Sequence, residues 1–260
     1  MLLAAGRGER MRPLTDATPK PLLPVQGKPL LQWHLEALAR AGCESALINT
    51  AWLGEQIEAR FGRHVEPTHL TGTASAAPKG ASPAVALRYS HEGRDSGGAL
   101  ETAGGIVRAL PQLADVFWVA AGDVFAPEFV FAPEAVARFK ASPQLAYLWL
   151  VPNPEHNPDG DFGLSAQGLA LNLPKPAPGV TQPPRYTFST IALYKRAFFG
   201  AAWCAIPAGN PAGVKAPLAP LLRAAMDARL VGAALYTGRW TDVGTPERLQ
   251  QLNSDTRPPP

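Results

Sequence analysis

The first 50 residues, MLLAAGRGERMRPLTDATPKPLLPVQGKPLLQWHLEALARAGCESALINT (residues 1–50), decide the fold class. Residues 1–5 predict a short buried strand, which ends where Gly6 and Gly8 begin. Leucines at helical spacing predict a helix over 29–41, and SALINT (45–50) predicts a second strand. A further helical face at 53–61 ends at Gly62. Strand, loop, helix, strand and helix in this order are typical of a parallel sheet with covering helices.

The rest of the chain continues this alternation. The segment VFWVAAGD (116–123) is apolar almost throughout, as expected of a central parallel strand that is buried on both faces. We therefore predict an α/β fold, Rossmann-like, with a mixed and mainly parallel sheet flanked by helices. The other predicted strands are AVALRYS (84–90), LAYLWLV (145–151), YTFSTIALY (186–194) and 230–236, and the other predicted helices are LETAGGIVRAL (100–110), 217–228 and the segment after Thr245.

Two segments lack this periodicity. Residues at about 66–84 are rich in Pro, Ala, Ser, Thr and Gly and predict a flexible insert, and LPKPAPGVTQPP (173–184) predicts a proline-rich loop. We predict one domain over residues 1–253 and a disordered tail over 254–260.

Composition excludes several classes of protein. The 24 lysines and arginines against 21 acidic residues give a net charge of only +3, and they are scattered, so no nucleic-acid partner is expected. The two cysteines, Cys43 and Cys204, form neither a disulfide framework nor a zinc-ligand spacing. No apolar stretch approaches the ~20 residues that span a bilayer. We expect a cytoplasmic protein without a membrane partner, either a monomer or a homodimer.

The glycine-rich turn after the first strand predicts an anion site, because such turns expose successive backbone N–H groups to phosphate oxygens. Two well-known phosphate motifs do not fit. A dinucleotide-binding GxGxxG would need glycine where Met11 stands, and a Walker A motif would need Ser or Thr where Pro29 stands. The cations Arg7, Arg12 and Lys20 add more positive charge than a structural turn needs.

Two aspartates suit a divalent cation beside that anion site. Asp123 ends the apolar strand VFWVAAGD, and Asp242 lies in RWTDVGTPE just before the last predicted helix. Each aspartate alone is also an ordinary turn residue. Because Mg²⁺ prefers carboxylates from one or two residues together with water and phosphate, the pair predicts a Mg²⁺ site.

Several stretches resemble one enzyme family. LAAGRGERMRPLTDATPKPLLP (3–24) is similar to the signature LAAGxGxRMxPLTxxxPKPLxP of the sugar-1-phosphate nucleotidyltransferases. INTAWLGEQI (48–57), YSHEGRDSGGALETAGGI (89–106), AAGDV (120–124) and RWTDVGT (239–245) follow in the family's order and approximate spacing. NTAWLG (49–54) and LETAGG (100–105) look most similar to the N-acetylmuramate 1-phosphate uridylyltransferase branch, from which Thr50 and Ala103 depart.

The resemblance implies a GT-A-like nucleotidyltransferase fold and an in-line attack of a sugar 1-phosphate oxygen on the α-phosphorus of UTP, with release of pyrophosphate. It also implies a residue set. Catalytic roles fall to Lys20 and Arg12; nucleotide binding to Ala4, Ala5, Gly6, Arg7, Gly8, Met11, Arg12, Asn49, Ala99 and Leu100; sugar-phosphate binding to Glu101, Gly105, Asn153, Asp161 and Ser189; and Mg²⁺ binding to Asp123 and Asp242. A muramyl lactate carboxylate favours a nearby cation, for which Arg185 and Lys175 are candidates.

Three alternatives stay open. The chain could be a mannose-1-phosphate guanylyltransferase or a glucose-1-phosphate thymidylyl- or uridylyltransferase. It could be a catalytically inactive nucleotide-sugar-binding regulator, although Lys20 and both aspartates are retained. A glycosyltransferase would rely on a DxD motif, and the match at Asp159 and Asp161 lies in a proline-rich loop.

Overall fold

The computed structural model describes residues 1–65, 84–174 and 183–255. The predicted insert therefore lies, apart from Ala84, outside the described residues, as do most of the proline-rich loop and the tail from residue 256. The strands are β1 Leu2–Ala4, β2 Pro24–Val25, β3 Lys28–Pro29, β4 Ser45–Thr50, β5 His64–Val65, β6 Val85–His91, β7 Val116–Ala121, β8 Val124–Phe125, β9 Ala146–Val151, β10 Phe162–Leu164, β11 Ala170–Leu171, β12 Arg185–Lys195, β13 Val231–Leu235 and β14 Thr241–Asp242.

The helices alternate with these strands. The α-helices are α1 Leu14–Ala17, α2 Leu30–Arg40, α3 Gly54–Phe61, α4 Glu92–Ser96, α5 Glu101–Ala109, α6 Pro133–Ala141, α7 Ala219–Asp227 and α8 Pro246–Ser254. Short 3-10 helices cover Glu9–Met11, Lys20–Leu22, Leu110–Gln112 and Arg196–Phe199.

A parallel centre organises the main sheet. Strand β1 lies between β4 and β7 and is parallel to both, with Leu2 opposite Ile48 and Ala120. Strand β6 pairs in parallel with β4, and β12 runs antiparallel to β7 and carries the sheet on to β9 and β10. Because parallel strands end at the same edge, the segments that follow β1, β4, β6 and β7 meet there. The predicted mixed and mainly parallel sheet with flanking helices is confirmed.

The sheet buries apolar side chains on both faces. Helices α5 and α7 cover one face, where Ile106 and Leu222 are buried, and α2, α3 and α6 cover the other, where Leu35 is buried. Successive residues of β7 point to opposite faces, so Val119 joins the first cluster and Trp118 the second. This two-sided burial explains why the strand reads as a continuous apolar run.

A third apolar cluster joins the two ends of the described chain. Strand β14 pairs antiparallel with β8, and Val243 and Leu249 pack with Met11, Leu23 and Phe125. The Thr245 hydroxyl caps α8 by accepting the Arg248 N–H, as the Thr-Pro pair predicts. Strand β14 and helix α8, the last described elements, are thereby fixed against the segment that follows β1.

The predicted elements are present, with small differences at their ends. Elements that were not predicted include α6, in which Phe139 is buried and Ala135 and Val136 are partly buried, and the antiparallel pair β10–β11, which is too short for a periodic pattern. Within the three described ranges, no helix has the length and apolar character needed to cross a bilayer.

Candidate active site

A cavity of about 540 Å³ opens at the edge where the parallel strands end. Its wall comes from the segment after β1, the Lys20 turn, the ends of β4 and β7, and the start of α5. The lining residues are Leu3, Ala4, Ala5, Gly6, Arg7, Gly8, Glu9, Arg10, Met11, Lys20, Pro21, Asn49, Glu92, Ala99, Glu101, Thr102, Ala121, Asp123 and Gly244. We call this space the loop cavity.

Gly8 fixes the shape of the turn after β1. Its φ is +69°, a left-handed value, and its carbonyl accepts the Thr15 hydroxyl at 2.8 Å. A Cβ at Gly8 would lie 3.0 Å from Thr15 Cγ2 and 3.2 Å from Lys20 Cβ. A Cβ at Gly6 would meet nothing within 4 Å. Gly8 is thus needed for the fold of the turn. Gly6 is not needed in this way, because the space beside its Cα is open.

The two glycines should respond differently to alanine. Gly8→Ala is expected to destabilise the fold by about 1–2 kcal/mol, because an L-residue is strained in the left-handed region, and to lower Tm by several degrees. Gly6→Ala should leave Tm unchanged. Thermal unfolding of both variants checks this difference, and equal Tm values would contradict it.

Lys20 enters the loop cavity as a mostly buried cation. Its side chain is 9% exposed, and Nζ lies 2.5 Å from Oδ2 of Asp123. Asp123 follows β7 through Gly122, whose N–H donates to the Leu3 carbonyl at 2.8 Å. The chain thus places one cation and one carboxylate together beside the glycine turn.

A buried carboxylate joins three of the converging segments. Glu92 accepts Asn49 Nδ2 at 2.7 Å and the Leu100 N–H at 2.8 Å. Asn49 Oδ1 in turn accepts the Ala4 N–H at 2.8 Å. Burial raises the pKa of Glu92 above its usual range. A Cβ at Gly105 would lie 2.4 Å from Glu92 Oε1, so α5 approaches this network closely.

Arg7 and Arg12 differ in position. The guanidinium of Arg7, which lines the loop cavity, lies 3.5 Å from the centre of the Trp52 ring. Trp52 Nε1 donates to the Thr15 carbonyl at 2.9 Å, so the stack is attached to the turn. Arg12 is largely exposed, pairs with Asp16 at 2.7 Å and is absent from the cavity wall.

Asp242 lies on the strand beside the Asp123 segment. The Val243 N–H donates to the Asp123 carbonyl at 2.9 Å. The Asp242 carboxylate contacts His156 Nε2 at 2.9 Å and the Arg248 guanidinium. Asp242 is not part of the cavity wall, although Gly244 is. No group of three or more His, Cys, Asp or Glu side chains suited to a metal ion occurs within the described ranges.

A second cavity of about 520 Å³ adjoins the loop cavity. The two share Leu3, Glu101, Thr102 and Ala121 in their walls. The rest of the second wall comes from β7, β10, β12 and α7 and consists of Val119, Asp161, Phe162, Phe188, Thr190, Tyr194, Pro217, Leu218, Ala219, Leu222 and Arg223. The site can therefore accept two connected groups, one beside the glycine turn and one beside α7.

The family is decided by comparison of the sequence. The family model described as "Nucleotidyl transferase" matches residues 1–169. The chain belongs to the nucleotidyl transferase family. Together with the relatives reported next, this match confirms the resemblance to the sugar-1-phosphate nucleotidyltransferases.

Two relatives agree with this assignment, and a solved structure has the same fold. This nucleotidyl transferase is 43% identical over 255 residues to the N-acetylmuramate alpha-1-phosphate uridylyltransferase of Neisseria meningitidis serogroup B, covering 98% of this chain and 96% of that protein. It is 32% identical to the enzyme of the same name from Caulobacter vibrioides, with coverage of 95% and 92%. The CTP:phosphocholine cytidylyltransferase of Streptococcus pneumoniae has the same fold, with a TM-score of 0.65, 16% identity and coverage of 98% and 97%.

Most of the predicted nucleotide-binding residues of this nucleotidyl transferase line the loop cavity. The residues of that set that line the loop cavity are Ala4, Ala5, Gly6, Arg7, Gly8, Met11, Asn49 and Ala99, together with Lys20 and Asp123. Leu100 is buried behind this wall and contributes its N–H to Glu92. Arg12 and Asp242 lie outside the wall.

The predicted sugar-binding residues are more dispersed. Glu101 lines both cavities, and Asp161 lines the second. Gly105, Asn153 and Ser189 line neither. The Asn153 amide donates to the carbonyls of Pro158 and Arg185, and the Ser189 hydroxyl donates to the Trp149 carbonyl at 2.6 Å. Both side chains thus hold the backbone that surrounds the second cavity.

Of the two cations suggested for a lactate carboxylate, Arg185 does not line the second cavity. Arg185 donates to five backbone carbonyls, those of Asp159, Gly160, Asp161, Leu173 and Pro174. Lys175 lies outside the described residues. Arg223 and Thr102 line these cavities but were not predicted. An arginine on the amphipathic helix α7 and a threonine in the first turn of α5 carry no local signal of a site.

Proposed function

We propose that this nucleotidyl transferase transfers UMP from UTP to N-acetylmuramate 1-phosphate and releases pyrophosphate. The observation that carries the proposal is the pair of joined cavities, with Lys20 and Asp123 in the wall of the glycine-turn half. The full-length similarity to two N-acetylmuramate alpha-1-phosphate uridylyltransferases supports the choice of substrates. The product would carry a cell-wall sugar, so we assign the enzyme to peptidoglycan recycling in the cytoplasm.

The glycine turn is the proposed triphosphate site. Its backbone N–H groups and Arg7 supply donors and positive charge on the cavity wall, and such turns bind phosphate through these groups. Arg7 is positioned by its stack on Trp52. Gly6 has no side chain, so nothing bulky lies between its backbone and a phosphate.

Lys20 is the proposed catalytic residue. The attacking oxygen of a sugar 1-phosphate is already anionic, so the reaction needs charge neutralisation and alignment rather than a general base. A buried ammonium supplies a preorganised charge where two phosphates must approach each other. Arg12 pairs with Asp16 outside the cavity wall. To bind the triphosphate, its guanidinium would have to leave Asp16 and pair with a phosphate instead.

Asp123 and Asp242 are the proposed Mg²⁺ ligands. Their segments are hydrogen-bonded neighbours, and carboxylates from two residues are a donor set that Mg²⁺ accepts when phosphate and water complete its shell. Lys20 on one side, and His156 with Arg248 on the other, hold the two carboxylates in place. A bound Mg²⁺ supplies further neutralisation of the phosphate charge.

A substrate matrix tests the proposed function. Purified protein is incubated with Mg²⁺, each of UTP, dTTP and GTP, and each of four 1-phosphates: N-acetylmuramate, N-acetylglucosamine, glucose and mannose. We expect the highest kcat/KM for pyrophosphate release with UTP and N-acetylmuramate 1-phosphate. A higher value for mannose 1-phosphate with GTP, or for glucose 1-phosphate with dTTP or UTP, would replace the proposal. Nucleotide binding without turnover of any pair would indicate a regulator instead.

A further inference from the structure

We propose that Arg223 binds a carboxylate on the sugar phosphate and thereby selects an acidic sugar over its neutral counterpart. The inference rests on the function proposed above, under which this group is the 3-O-lactyl carboxylate of N-acetylmuramate 1-phosphate. Arg223 would be a specificity-determining residue of the second cavity.

Arg223 has the right place for this role. It lies on α7 and lines the second cavity but not the loop cavity. Together with Asp161 it also lines a polar cleft that contains Asn157, Asn172 and Arg185. Arg223 therefore lies where the second cavity meets this cleft, and it does not belong to the wall that the second cavity shares with the loop cavity. A sugar phosphate that spans the two adjoining cavities would have its 1-phosphate near Lys20 and a ring substituent near Arg223.

The charge of Arg223 is oriented but not neutralised. Nη1 donates to Asn172 Oδ1 at 2.8 Å, and Asn172 Nδ2 donates at 3.1 Å to each carboxylate oxygen of Asp227. Cζ lies 5.3 Å from the centre of the Phe162 ring, so the guanidinium lies over an aromatic side chain. Across the described part of the chain, no carboxylate pairs with Arg223, unlike Arg12 and Arg248, which pair with aspartates.

The remaining donors of Arg223 match a carboxylate. A guanidinium carries five N–H groups in a planar fork, of which Asn172 uses one. Two parallel N–H donors can bind both oxygens of a carboxylate, which a lysine ammonium cannot do in the same geometry. A lactyl group carries a carboxylate and a methyl group on the same carbon. Phe162 and Leu222, which also line the second cavity, offer apolar contact for the methyl group.

Asp161, an acid that lines the second cavity near Arg223, already accepts hydrogen bonds from other residues. Asp161 Oδ2 accepts the Phe188 N–H at 2.8 Å, and Oδ1 accepts Asn157 Nδ2 at 3.3 Å. Asp161 therefore holds the backbone of β12 beside the irregularity at Thr190, whose φ is +62°. Among the described residues that line the second cavity, Arg223 is the one that carries a positive charge.

Three substrates that differ in one group test the inference. N-acetylmuramate 1-phosphate carries the lactyl carboxylate, its lactyl methyl ester lacks the charge, and N-acetylglucosamine 1-phosphate lacks the lactyl group. For Arg223→Gln we expect KM for N-acetylmuramate 1-phosphate to rise about 10- to 100-fold, the usual effect of losing a charged hydrogen-bonded pair. KM for the other two substrates should change less than about twofold, and Arg223→Lys should give an intermediate KM for the acidic substrate.

Arg138→Gln provides the control, because Arg138 is an exposed arginine on α6, away from both cavities. It should leave all three KM values unchanged, and Tm should be the same for both glutamine variants. An Arg223→Gln variant that weakens all three substrates equally, or none, overturns the inference while the proposed function stands. A wild-type enzyme that does not use N-acetylmuramate 1-phosphate overturns both.

Discussion

Replacement of Lys20 by methionine is expected to lower kcat by a factor of about 10² to 10³. The side chain is mostly buried and its Nζ lies 2.5 Å from Asp123, so the ammonium is held in position before substrates arrive. Methionine keeps a flexible stem of similar length and removes the charge. The loss should appear in kcat because, under the proposed function, the charge acts where the two phosphates approach, and preorganised charge contributes most in the transition state.

Lys28→Met is a matched control. Lys28 also pairs with a carboxylate, Glu36, at 2.8 Å, but it lies on β3 outside both cavities. Steady-state measurement of pyrophosphate release should therefore give a value within about twofold of wild type for Lys28→Met. A comparable loss in both variants would mean that Lys20 acts through folding, and a loss below tenfold in Lys20→Met would remove its catalytic assignment.

Replacement of Glu92 by leucine is expected to reduce the free energy of unfolding by about 2–6 kcal/mol. Glu92 is buried and accepts the Asn49 amide and the Leu100 N–H. Leucine leaves both donors buried without an acceptor, and each such donor costs about 1–3 kcal/mol. Urea unfolding measures the difference. The accompanying fall in Tm should be about 2–4 °C for each kcal/mol.

Glu55→Leu controls for the same change of side chain on a helix surface. Glu55 is exposed in the first turn of α3, and its loss should alter the free energy of unfolding by less than about 0.5 kcal/mol. Equal stability of Glu92→Leu and wild type would show that Asn49 and Leu100 find other partners, and the network would then not hold the three segments together.

Local patterns predicted the strands and the residues that follow them. The predicted strands end near Ala5, Thr50 and Asp123. Because parallel strands end at one edge of a sheet, the order of the elements alone predicts that these positions lie close together. The loop cavity could therefore be predicted in outline from the sequence.

The second cavity could not be predicted in the same way. It depends on the side on which α7 packs and on how β10 and β12 pair, and both are set by contacts between distant segments. Arg223 occupies a partly exposed helix position that any solvated arginine could take. Asn153 and Ser189 carry polar groups in suitable stretches, yet their hydrogen bonds go to nearby backbone carbonyls.

The return of β14 and α8 to the start of the chain has a consequence for synthesis. Asn253 exchanges hydrogen bonds with Gln26 and Pro24, partners 227 and 229 residues away, and Gly244 forms part of the loop cavity. At about 5–20 residues per second, a ribosome needs on the order of tens of seconds to travel from the glycine turn to this segment. During that interval Phe125 and Met11 lack the apolar cover of Val243 and Leu249. The glycine turn of the nascent protein must therefore remain unfinished until almost all of the described chain has been translated.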